Sequence, residues 1–335
     1  MASRAPASRR KHVVESAIVL ALLLPGLLLF PLQMSQAMAL FAYGVMSGFL
    51  VALLVSPRVA LLVSAAFAVA NMLAYLASPS TVLAALVMGA SVLLYALTAR
   101  RGISGYIVMA PTSVAFTLTQ PPTMLPDSSA VADVLLVGLL AVIAGLWGAA
   151  AGAFIGRRVP KRRLGQMNAR VTWIVAVTMA VVCAGVLAAV LALGQRQYGA
   201  WILLTLLIVM QPGLHKTWQK VRDRLLGTLA GFIVAIVIAI PLHGHPVALS
   251  LAAVVLFAIA TYVQISGQRY WRFVMFLTPG VVLIVGSSSS VAVTDIARVV
   301  GTLIGAAIAV ILLLILQWIG IRDVDDQQPA PSDAH

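Results

Sequence analysis

Arg224-Leu-Leu-Gly-Thr-Leu-Ala-Gly231 returns later in the chain as Arg298-Val-Val-Gly-Thr-Leu-Ile-Gly305. Both octets read R-x-x-G-T-x-x-G, and both open a long apolar run. A cation at the mouth of a hydrophobic segment costs a few kcal/mol unless it is paired or hydrated. Two glycines follow, one helical turn apart, and let another helix approach closely. The doubling points to internal duplication and to a place where a charged solute meets protein within a bilayer.

Around the octets the chain is 62% hydrophobic and 9% charged, with a mean hydropathy of +1.06. Soluble domains carry far more surface charge, so the composition predicts an all-α polytopic membrane protein. Tails and loops are too short to bury a core of their own. Arg4, Arg9, Arg10 and Lys11 ahead of an apolar run resemble a signal peptide, but no small-residue cleavage site follows. An uncleaved first span is expected. Cys183 is the single cysteine, which excludes intramolecular disulfides and thiolate metal clusters. The nine acidic residues are scattered, so neither metal nor cofactor is expected.

Apolar runs suited to a membrane core predict about twelve transmembrane helices. They cover residues 14–33, 37–56, 58–77, 80–98, 103–119, 131–156, 171–194, 199–213, 224–242, 246–265, 271–287 and 293–319. With the N-terminus cytoplasmic, all of the 22 Lys and Arg except Arg196 and Arg298 fall on the cytoplasmic side. The net charge of +13 is then topogenic, facing anionic headgroups of the lipid bilayer, and nucleic acid is not an expected partner. Both termini are cytoplasmic on this topology. The expected organisation is a first six-span half (1–156), a basic cytoplasmic linker (157–170), a second six-span half (171–320) and a polar tail (321–335).

The same topology turns the two octets upside down relative to each other. Their upstream context matches: Gln197-Tyr198 and Trp201, then Pro212-Gly213, against Gln268 and Tyr270-Trp271, then Pro279-Gly280. Inverted three-helix repeats, spans 7–9 and 10–12, are the expectation. Many secondary transporters obtain two interconvertible states from such units.

Arg298 is the sharpest candidate for anion binding, with Asp295 on the same helical face as counter-ion and proton carrier. The alternative is a snorkelling Arg at the outer interface, with Asp295 capping the helix. Arg224 is its cytoplasmic equivalent, placed in a short amphipathic loop, Lys216 to Arg224, that topology alone explains. Asp133 opens span six as Asp295 opens span twelve, making it a second proton-coupling candidate. Gly227, Gly231, Gly301 and Gly305 are read as helix-packing residues, as are Gly148, Gly152 and Gly156. Pro212-Gly213 and Pro279-Gly280 are expected to break their helices and free backbone groups. Trp201 and Trp271 suit stacking on an aromatic solute, or anchoring at the membrane interface. Asn71 is expected to hydrogen-bond between helices. No His/Asp/Ser cluster has a catalytic spacing, so an enzyme is not expected.

The pattern Trp201-x3-Thr205-x5-Gln211-Pro212, then Thr217 and Arg224-x2-Gly227-Thr228-x2-Gly231, resembles the fusaric acid resistance family of inner-membrane proteins. The likeness covers residues 195–305 and is architectural before that. Aromatic acid exporters belong to this family, and plant aluminium-activated malate transporters look like distant relatives. The chain resembles compact members without a cytoplasmic domain between the halves. The resemblance implies proton-driven efflux of aromatic carboxylates or related amphipathic compounds across a bacterial inner membrane, with a passive organic-anion channel as the alternative. Implied partners are a small organic anion and a periplasmic HlyD-type adaptor, and a homo-oligomer is left open.

Overall fold

The computed structural model describes residues 21, 22, 25, 35–122, 129–158, 168–210, 217–242, 245–265, 268–285 and 291–318. The helices are α1 (Ser35–Leu54), α2 (Pro57–Ala77), α3 (Thr81–Leu97), α4 (Met109–Thr119), α5 (Ala130–Ile155), α6 (Ala169–Ala192), α7 (Arg196–Val209), α8 (Thr217–Ala239), α9 (Pro246–Ile265), α10 (Tyr270–Val285) and α11 (Val291–Trp318). One further turn, Ser104–Ile107, leads into α4, and no strand occurs among the described residues. Backbone groups within lipid must be satisfied by their own segment, and continuous helices do this. Polar residues set the starts. Ser56 accepts the Val59 N–H ahead of Pro57, Ser80 and Ser129 cap α3 and α5, and Asn168 caps α6.

Six of these segments are long and apolar enough to cross a membrane: Ala37–Leu54, Pro57–Ala77, Thr81–Arg101, Ala130–Ile155, Ala169–Ala192 and Ile296–Leu316. The expected count was about twelve. The expected spans missing from these six fall in both halves: α4 has 11 residues, α7 has 14 and α10 has 16. At 1.5 Å per residue α7 extends only about 21 Å, short of a ~30 Å hydrocarbon core. Residues 14–33 lie outside the described residues apart from 21, 22 and 25, as do 159–167 of the linker and the tail.

Small residues bring the first half together. α1 lies along α5, with Gly48 against the Gly145 carbonyl, Gly148 against Val45 and Gly152 against Phe49; a Cβ at any of these would collide with backbone. Asn71 ties α2 to α4: its Oδ1 accepts from Ser113 Oγ and Thr117 Oγ1, both at 2.9 Å. Its Nδ2 donates to the Phe67 carbonyl, so this fully buried amide has the interhelical role its position suggests. α3 packs on α6, and Met88, Val92, Met179 and Cys183 of that seam share one core with Leu203 and Leu206 of α7.

The outer surface is apolar. Leu62, Phe154 and Leu193 are each more than 70% exposed, as lipid-facing side chains are. Such a surface would aggregate in water.

Candidate functional site

The second half is held by reciprocal packing of the two octets. α11 lies on α7: a Cβ at Gly301 would fall 2.6 Å from Trp201 Cβ, and one at Gly305 2.6 Å from the Ile202 carbonyl. α8 lies on α10: a Cβ at Gly227 would fall 2.5 Å from the Trp271 carbonyl, and one at Gly231 2.6 Å from Thr278 Cβ. Each octet helix therefore packs on the helix that precedes the other octet. All four glycines lie at close approaches between helices.

This packing buries both arginines. Arg298 is 2% exposed and Arg224 1%. Each stands seven residues into its helix, about 10 Å along the axis. Arg224 is thus not in a loop: α8 begins at Thr217 and carries it inside. Asp223 beside it is also buried, with Arg222 Nε 3.8 Å away on the exposed side. The charge run looked like a surface feature because a helix alternates buried and exposed faces within it.

Arg298 lies where the two halves meet. Its guanidinium carbon sits 4.8 Å from the Trp201 ring centroid, a distance for a cation–π contact. Its Nη2 donates to Thr278 Oγ1 on α10 at 3.1 Å. Phe116 from α4 meets Trp201 edge-on, with centroids 5.2 Å apart, and Tyr43 from α1 lies 5.7 Å from Phe116. Ala297, Ala200, Leu204, Tyr198 and Val281 complete an apolar wall. The arrangement is a buried cation on an aromatic floor assembled from α1, α4, α7, α10 and α11.

The other candidates lie elsewhere. Trp271 is at the start of α10, with Arg272 5.6 Å from its ring, and is not among the residues of the Arg298 cluster. Asp133 accepts a hydrogen bond from the Tyr75 hydroxyl at 3.0 Å, which ties α5 to α2. Asp295 falls within α11, but its side chain lies outside the described residues. Pro212 and Gly213 lie outside them altogether. Pro279 and Gly280 do not end α10, which runs through both. Pro279 lacks the N–H that would bond the Met275 carbonyl. That carbonyl lies where α8 makes its close approach at Gly231.

Thr278, Tyr43, Phe116 and the burial of Asp223 were not foreseen as parts of a site. Thr278 carries a weak signal, since it directly precedes Pro279. Tyr43 and Phe116 carry none, because the contacts that bring them in span most of the chain.

Residues 180–312, which hold both octets, Trp201 and Thr278, match the family model described as fusaric acid resistance protein-like. This stretch resembles a fusaric acid resistance protein-like domain. It is similar to the uncharacterized protein slr1298 of Synechocystis, 36% identical over 119 residues, and to the inner membrane protein YccS of Escherichia coli, 36% identical over 127. The matches span 35% and 36% of this chain but only 15% and 16% of those relatives' lengths. No solved structure matches the chain.

Proposed function

We propose that this protein is an efflux permease of a bacterial inner membrane that exports aromatic carboxylates or related amphipathic anions. One observation carries the reading: a fully buried Arg298 lies on the Trp201 face and bonds Thr278 where both halves of the chain meet. A guanidinium presents a planar fork of N–H donors that suits a carboxylate. Trp201, Phe116 and Tyr43 suit the ring attached to it. A transport role fits the relative named as an inner membrane protein and the match to a resistance-type family.

The reciprocal octet packing supports inverted three-helix units, α6–α8 and α9–α11, as the moving parts. In this reading the chain crosses the membrane about twelve times in two six-helix halves, with both termini in the cytoplasm. Asp133 and Asp295 are the carboxylates available to carry a coupled proton. An HlyD-type adaptor would receive the substrate in the periplasm.

Purified protein in proteoliposomes tests this directly. With an imposed pH gradient, the exporter accumulates benzoate above its equilibrium level. Benzoate that only equilibrates identifies a passive anion channel, and no benzoate movement overturns the substrate class.

A further inference from the structure

Glycine packing sets a residue-by-residue register between the two helices that receive the octets. Gly301 meets the Tyr198 carbonyl and Trp201, and Gly227 meets the Trp271 carbonyl and Val274. Gly305 meets the Ile202 carbonyl and Thr205, and Gly231 meets the Met275 carbonyl and Thr278. Thr205 is therefore the counterpart of Thr278. Each is fully buried opposite the second glycine of an octet.

The arginines that open the octets inherit this relation. Arg298 on α11 reaches across to Thr278 on α10. Its counterpart is Arg224 on α8, which also packs on α7, the helix of Thr205. Yet Arg224 Nε and Thr205 Oγ1 are buried with no hydrogen-bond partner among the described residues. Thr228 Oγ1, one turn beyond Arg224 on the same face, is in the same condition. An unsatisfied buried hydroxyl is costly, and an unsatisfied charged donor more so. A guanidinium N–H and two hydroxyls can all donate, so the group that satisfies them together is an acceptor-rich anion.

We propose that Arg224, Thr205 and Thr228 form a second carboxylate subsite, the inverted counterpart of Arg298 and Thr278. It serves the same amphipathic anions, and so rests on the function proposed above. On the charge-derived topology Arg224 belongs to the cytoplasmic side and Arg298 to the outer side. The two subsites then receive substrate from opposite faces.

Benzoate uptake into inside-out and right-side-out membrane vesicles separates the faces. Thr205→Val keeps the side chain's shape and removes its hydroxyl. It should raise KM about tenfold for benzoate at the cytoplasmic face, as loss of a ~1.4 kcal/mol hydrogen bond does, and leave the outer face unchanged. Thr278→Val should do the reverse, and Thr205→Ser should restore the wild-type value. Arg224→Lys, which keeps the charge but lacks Nε, is the second variant if Thr205→Val fails to assemble, with the same one-sided rise. Wild-type KM at both faces, or an equal change at both, overturns the subsite. So does competition at the cytoplasmic face by chloride without saturation by benzoate. Absence of benzoate transport by the wild type instead removes the proposed function itself.

Discussion

Arg298 on α11 rests its guanidinium 4.8 Å above the ring of Trp201 on α7, so one residue of the cluster supplies charge and its neighbour supplies the surface that holds it. The contact is worth about 0.5–2 kcal/mol where it is desolvated. Trp201→Leu keeps apolar bulk and removes the ring. Benzoate KM should rise by roughly 2- to 30-fold, the equivalent of that energy. Trp201→Phe retains a ring face and should fall nearer the wild type. Vesicle uptake kinetics on the two variants check the order.

The octet glycines admit a sharp contrast. Gly301→Ala drives a methyl to 2.6 Å from Trp201 Cβ, whereas a Cβ at Gly185 meets nothing within 4 Å. Overpacking of this kind costs about 1–3 kcal/mol. Gly301→Ala should lower the melting temperature of the purified protein, and Gly185→Ala should leave it level or raise it. Equal effects at the two positions would remove the packing role.

Asp133 is bound by the Tyr75 hydroxyl near the ends of α5 and α2. If it carries the coupled proton, Asp133→Asn uncouples without abolishing binding. Benzoate counterflow should persist, while accumulation driven by a pH gradient is lost. Accumulation at the wild-type level assigns Asp133 to structure and leaves Asp295 as the carrier.

Asn71 receives two hydroxyls within the first half. Hydrogen bonds between membrane helices average about 0.6 kcal/mol, because hydroxyls find other partners. Asn71→Leu should therefore shift thermal stability only slightly and leave benzoate KM unchanged. A large change in KM would connect this network to the substrate path.

How much of this was legible in the sequence divides along physical lines. The helical character, the lipid-facing surface and the packing glycines follow from local composition and spacing, and these were readable. Arg298 and Trp201 stood out as a lone charge and an aromatic in apolar surroundings, although nothing local could pair them. Arg224 was obscured by its exposed neighbour Arg222, since a run of charge does not announce which member turns inward. The break expected at Pro279 does not end α10, which runs through it where α8 packs closely at Gly231. Tyr43 and Phe116 enter the site only through contacts between distant segments.

The central claim is that Arg298 binds the substrate carboxylate. Its most direct test is benzoate uptake into membrane vesicles by Arg298→Ala at wild-type expression and topology. The account predicts that uptake falls to the level of vesicles without the protein. Uptake that continues at the wild-type rate would contradict it.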